Sequence, residues 1–170
     1  MTRSRDVQRA KVYDAEQLVR TVFDRADQHG LRVVEVLGSS ITLPIERKFA
    51  SVESVQSYVD KVLALNWIRA HWPHASTAVR VRARAGTTAA HYESDTATLA
   101  VPLHSGNTAW ALRELVVLHE LAHHLDDDPA EAAHGPTFCA RYLELVDGII
   151  GSEAAFLLRA TLIECGARVG

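Results

Sequence analysis

Cysteine is scarce in this chain. The two present, Cys139 and Cys165, lie in separate helix-like patterns without a CxxC spacing, which excludes a disulfide scaffold and a thiolate zinc ribbon. Both read as small core residues. Long apolar runs are missing too. No stretch approaches the roughly 18 residues of a membrane span, and no apolar segment follows the charged start, so neither insertion nor secretion is signalled. The expected compartment is the cytoplasm. Charge of one sign is also lacking in bulk: 18 Lys and Arg stand against 21 Asp and Glu, for a net charge of -3. Such interspersed signs give no large field for a nucleic-acid backbone or an anionic membrane. Internal repeats, low-complexity tracts and long interior linkers are absent as well.

What remains is 170 residues with 48% hydrophobic content, the size and composition of one domain with a proper core. That domain is expected over residues 12–170. The segment before it, "MTRSRDVQRAK", sets Arg3, Arg5, Arg9 and Lys11 against Asp6 and reads as a solvated, flexible tail over residues 1–11.

Periodicity gives the elements. Val12, Ala15, Leu18, Val19, Val22, Phe23 and Ala26 fall at helical spacing and stop at Gly30, suited to the position after a helix. "LRVVEV" and "SSITLP" read as two short strands, the second ended by Pro44. Ser51 caps a second helix, with a buried stripe of Val52, Val55, Val59, Val62, Leu63 and Asn66, that ends near Trp72 and Pro73. In "VRVRARAG" the period becomes twofold: Val79, Val81 and Ala83 face one way and Arg80, Arg82 and Arg84 the other, a strand with a solvated arginine face. With the "AGTT" turn, "AAHYES" and "TATLAVPL", this strand builds a three-stranded meander. The expected class is α+β, a small and mostly antiparallel sheet packed with helices.

The chemistry sits in "LHELAHHLDDDPAEAAHGPTF", residues 118–138. A helix capped by Asn107 should run through "TAWALRELVVLHELAHHL", apolar on most of its circumference and so buried. Unpaired polar groups in such a helix cost several kcal/mol, on the order of 2–7 each, and metal coordination removes that cost. His119 and His123 are four residues apart, rotated by only about 40°, so both imidazoles can meet one ion. Glu120, about 100° round, is placed to touch a water in the open position of the metal as a general base. This is the HExxH spacing. Chance alone produces it in roughly 3% of shuffled chains of this composition, so the decision rests on context: a buried helix after a sheet, with another histidine downstream.

Catalytic zinc normally takes three protein ligands and leaves a fourth position for water. A metzincin would need Gly at position 126 and His at position 129, where this chain has Asp126 and Pro129. A thermolysin-like arrangement would use Glu144 or Glu153. His134 is the preferred third ligand, because it precedes a sharply defined helix in which Gly135 caps, Pro136 starts and Gly148 ends. Asp128, Pro129 and Glu131 look like the start of a short helix leading to His134. Asp126 is a candidate for orienting a ligand imidazole.

"HELAHHL" followed by "HGPTF" and preceded by "ATLAVPL" resembles the SprT-like branch of zincin metallopeptidases, and more closely the small single-domain metallohydrolases related to it. The resemblance covers about residues 90–142. It implies a zincin-like α+β fold, one zinc ion on His119, His123 and His134, Glu120 as catalytic base, and hydrolysis of peptide-like bonds. SprT-like proteases that act on DNA-bound proteins often carry a cysteine zinc ribbon, which this chain lacks, so a DNA-targeted role is not implied.

A tetrahedral oxyanion needs a donor beyond the metal. Tyr142 is the preferred one, with His91, His104 and His124 as alternatives; His124 should point away from the metal into a supporting or surface position. "TATLAVPL" is expected to be an exposed edge that pairs with an extended peptide substrate through its main chain. The reading is therefore a zinc-dependent hydrolase acting on a peptide or protein. Its alternatives are a non-catalytic module in which zinc holds the fold, with Glu131 or Cys139 closing the fourth position, and a regulatory protease specific for one partner.

Overall fold

The computed structural model describes residues 2–85, 89–102 and 112–170. The chain is a mixed α+β protein, with six α-helices and two small sheets among the described residues. It divides into two compact units, Met1–Glu46 with Pro129–Gly170, and Arg47–Asp128. Asn107, His104 and the "AGTT" turn fall wholly or partly outside the described residues.

In the first unit, α1 spans Arg9–His29 and ends on Gly30 in the left-handed conformation at φ 66, the C-terminal signal expected from the sequence. Its stripe of Val12, Ala15, Val19, Phe23 and Ala26 is buried, whereas Leu18 is exposed and Glu16 is buried. β1, Val33–Val36, pairs antiparallel with β2, Ser39–Thr42. The two-residue loop between them places both Leu37 and Gly38 at positive φ, 49 and 78, the twist that a tight hairpin needs. α5, Pro136–Ile149, and α6, Ser152–Glu164, complete the unit, and α6 packs against both α1 and α5. Gly148 lies inside α5 rather than at its end; the chain turns at Gly151, φ 146.

The first residues of this unit are exposed over residues 2–5 and also hydrogen-bond to the rest of it. Ser4 donates its backbone N–H to the Ala130 carbonyl, and Arg3 Nε donates to the Glu131 carbonyl, both at 2.9 Å. Gln8 is buried. Its amide donates to the Arg168 carbonyl at 3.2 Å and accepts from the Arg168 N–H at 2.7 Å. Of the basic residues expected in a flexible tail, Arg3 makes one of these bonds, and Ser4 and Gln8 make the others.

In the second unit, α2 spans Val52–Leu63 and is capped by Ser51, whose hydroxyl accepts from the Ser54 N–H while the Ser54 hydroxyl accepts from the Ser51 N–H, a reciprocal cap. The second expected helix is in fact two. Leu65 takes an extended conformation and α3, Asn66–His71, starts afresh, which leaves Asn66 exposed rather than in the buried stripe.

The sheet of this unit differs from the expected meander. β3, Arg80–Arg84, pairs in parallel with β5, Thr98–Pro102, and β4, His91–Glu93, pairs antiparallel with β5 on its other side. Every residue of β5 is buried. A strand apolar on both faces belongs at the centre of a sheet, and one with charges on a face belongs at its edge. Arginine-bearing β3 therefore takes an edge, where Ala83 is exposed and Arg84 half-buried. β5, expected as an open edge for a peptide, is already paired on both sides along most of its length, which removes that mode of substrate binding.

α4 spans Glu114–His124. It starts later than expected because Leu112 and Arg113 are extended against residues 47–49: Phe49 N–H donates to the Leu112 carbonyl at 2.7 Å, Glu114 N–H donates to the Arg47 carbonyl at 3.0 Å, and Lys48 pairs with Arg113. No helix of the described residues is long and apolar enough to cross a membrane.

Candidate metal centre

α4 carries the first part of the site. Every residue from Glu114 to Ala122 is buried, as is His124, and His123 is half-buried. The Glu114 carboxylate, in the first turn, accepts from the Arg47 N–H at 2.7 Å and from the Tyr58 hydroxyl at 2.8 Å. A negative charge there also suits the positive end of the helix. Four residues and one turn apart, His119 and His123 bring their Nε2 atoms to 3.1 Å. Glu120 is buried beside His119.

His124 does not reach the surface. Its Nε2 donates to the Thr77 carbonyl at 3.0 Å, so its Nδ1 accepts from the Tyr92 hydroxyl at 2.8 Å. Burial lowers its pKa, which keeps it in the neutral form that these two bonds require. The residue ties α4 to the strand that holds Tyr92. Among the other histidines weighed as donors, His91 lies between Arg84 and Glu93, at 2.7 and 3.0 Å, and His104 is outside the described residues.

His134 lies just before α5. No short helix leads to it; residues 129–134 form turns, and the Gly135 N–H closes the last of them on the Ala132 carbonyl at 3.0 Å. As read from the sequence, Gly135 caps α5 and Pro136 opens it. The imidazole is buried between Tyr13 and Phe138, with ring centroids 5.3 and 5.0 Å away. Its Nδ1 donates to Asp6 Oδ2 at 2.7 Å, which makes Nε2 the nitrogen suited to a metal.

His119, His123 and His134 form one group: each offers a ring nitrogen, and these atoms lie within 4.8 Å of one another. Three imidazoles are a donor set for a borderline ion such as zinc. The fit has support from Asp6. Its Oδ1 is buried without a hydrogen-bond partner, a costly arrangement for a carboxylate unless positive charge lies close. A cation on the far nitrogen of His134 would provide that charge through the ring.

The other ligand candidates lie elsewhere. Glu144 and Glu153 are exposed, the Glu131 carboxylate accepts from the Thr137 hydroxyl, and Cys139 is buried beside Gln8. Asp126 Oδ1 accepts from the Asp128 N–H at 3.3 Å, and Asp6 is the carboxylate set against the His134 ring. Tyr142 is fully buried within the first unit, its ring facing Phe138 at 6.0 Å and its side chain hydrogen-bonded to Glu16.

No family model, curated protein or solved structure matches the chain.

Proposed function

We propose that the chain is a zinc-dependent hydrolase of peptide-type bonds. The observation that carries this reading is the gathering of His119, His123 and His134 into one group, with Glu120 one residue from His119 on the same buried helix. The resemblance of "HELAHHL" and "HGPTF" to zincin metallopeptidases of the SprT-like branch supports it. So does the bond of His134 Nδ1 to Asp6, which leaves Nε2 as the nitrogen facing away from the carboxylate.

When bound, zinc supplies Lewis acidity toward a carbonyl and makes a water markedly more acidic. The protein's own part begins with the three imidazoles, which fix the position of the ion. In this reading the Glu120 carboxylate, buried on α4, takes a proton from the attacking water and returns it to the leaving amine nitrogen. Low-dielectric surroundings on α4 strengthen both transfers. The proposed substrate is a peptide or protein. It is not held as an added strand on β5, which pairs with β3 on one side and with β4 on the other.

One observation favours a second reading. His119 and His134 are only 2% and 5% exposed, a degree of enclosure that also suits a structural ion. In that reading zinc holds a non-catalytic module together. The two are separated by comparing the unmodified chain with Glu120→Gln on a mixed peptide library. A hydrolase loses turnover and keeps its metal, whereas a structural module shows no zinc-dependent turnover in either protein. Cleavage of one protein partner with no cleavage of the library would identify a partner-specific protease.

A further inference from the structure

We propose that the segment Arg3–Gln8 is a positioning clamp for the third metal ligand, with Asp6 setting the affinity of the site for its ion. The inference rests on the metal reading above and adds a residue that the HExxH pattern does not contain.

The two ligands on α4 are held by a helix. His134 is not; it sits in a turn before α5, where a side chain has no regular backbone to fix it. Four bonds from the N-terminal segment supply the missing constraint. Arg3 and Ser4 hold the Glu131 and Ala130 carbonyls, Gln8 Nε2 donates to the His134 carbonyl at 3.0 Å, and Asp6 Oδ2 accepts from the ring at 2.7 Å. Backbone and imidazole of one residue are thus held by two side chains that are themselves two residues apart. Gln8 is anchored in turn on both backbone groups of Arg168, and it opens α1 without a side-chain cap bond to that helix. Its amide works on His134 and Arg168 instead.

Asp6 does more than point the ring. A carboxylate on Nδ1 raises the electron density at Nε2 and fixes which nitrogen carries the proton. Only one of its oxygens is used on the ring, and the other is buried without a partner. A neutral acceptor would have filled the same geometric role at lower cost. A cation on the far nitrogen of the imidazole would suit a carboxylate in this place.

The test is a competition titration of the full chain with zinc against a chromophoric chelator, run on the unmodified protein, Asp6→Ala, Asp6→Asn and His119→Ala. Asp6→Ala is expected to bind zinc about 10–100-fold more weakly. Asp6→Asn keeps an acceptor of the same size without the charge, so it should fold as the original does and fall between the two. Cobalt(II) loaded in place of zinc should give absorption bands that shift in Asp6→Asn while its metal-free melting temperature is unchanged, a combination that loss of fold cannot produce. Equal zinc affinity in the Asp6 variants and the unmodified chain overturns the clamp and leaves the metal reading standing. Failure of the unmodified chain to take up zinc, or uptake that His119→Ala does not diminish, overturns both.

Discussion

The Nε2 atoms of His119 and His123 stand 3.1 Å apart, with ring centroids 4.9 Å apart and the planes inclined at 68°. Two imidazoles that close either share one proton or share one cation. With His134 in the same group, the cation is the better use of three convergent nitrogens. The purified chain should therefore carry close to one zinc per molecule, and His119→Ala, His123→Ala or His134→Ala should each remove it. At free zinc a hundredfold above the dissociation constant, binding adds about 2.7 kcal/mol, roughly 5–10 °C of melting temperature in a chain of this length. Elemental analysis and melting with and without chelator check both; full zinc in His134→Ala would remove that residue from the site.

In the proposed hydrolase, a Glu120 variant separates chemistry from metal binding. Glu120→Gln keeps the size of the side chain and removes the proton acceptor, so zinc content should stay and peptide hydrolysis should fall by about 10²–10⁴. The measurement is turnover on a peptide library with metal content determined on the same sample. Unchanged turnover would take the base role away from Glu120.

How much of this was legible from residues alone depended on whether the signal was local. Periodicity placed α1, the Ser51 cap and the buried helix of His119 and His123, because each rests on spacings within one or two turns. The Gly135-Pro136 start of α5 was legible for the same reason. Strand order was not, since the pairing of β3 with β5 joins residues about 18 apart in sequence and is decided by which strand is apolar on both faces. Asp6 was out of reach as well: its bond to His134 spans 128 residues, and a carboxylate set among arginines carries no mark of its partner.

Tyr142 gives a test of role by the kind of loss. Its side chain is wholly buried and hydrogen-bonded to Glu16, and burial together with the Glu16 charge holds its pKa well above that of a free phenol. Tyr142→Phe should then lower stability by about 1–3 kcal/mol, read by urea denaturation, because Glu16 loses a buried partner. A phenol that served as an oxyanion donor would instead cost about 10²–10³ in kcat. Measuring both on one sample assigns the residue.

Cys139 should be silent toward thiol reagents. Burial first, then the nearby charges of Glu16 and Asp6, push its thiol up to about 12. An unfolded thiol ionises near about 8.5, so the folded state keeps a proton that the unfolded state loses. This contribution to stability is complete below about pH 8.5 and is lost as pH rises toward about 12. At pH 8 the native chain should show one modifiable thiol, the half-buried Cys165, and Cys165→Ser should show none until the protein unfolds. Rapid modification of Cys139 in that variant would mean that the Gln8 side of the first unit opens readily.

Glu114 anchors the start of α4, the helix that carries His119 and His123 one turn and more along. Its carboxylate accepts from the Arg47 N–H and the Tyr58 hydroxyl, and it is 2% exposed. Removing one partner of a buried, charge-assisted bond costs more than removing a surface ion pair, because the other groups are left without water. Glu114→Ala should lower stability by about 2–4 kcal/mol, and Tyr58→Phe by about 1–3 kcal/mol, with the Glu114 charge left short of a donor. Because α4 is anchored at this end, the stronger variant should also loosen His119 and His123, so zinc affinity should fall with Glu114→Ala and hold with Tyr58→Phe. Equal zinc affinity in both variants would mean that the helix keeps its place through its apolar faces alone, with Leu115, Leu118 and Leu121 sufficient to fix the two histidines.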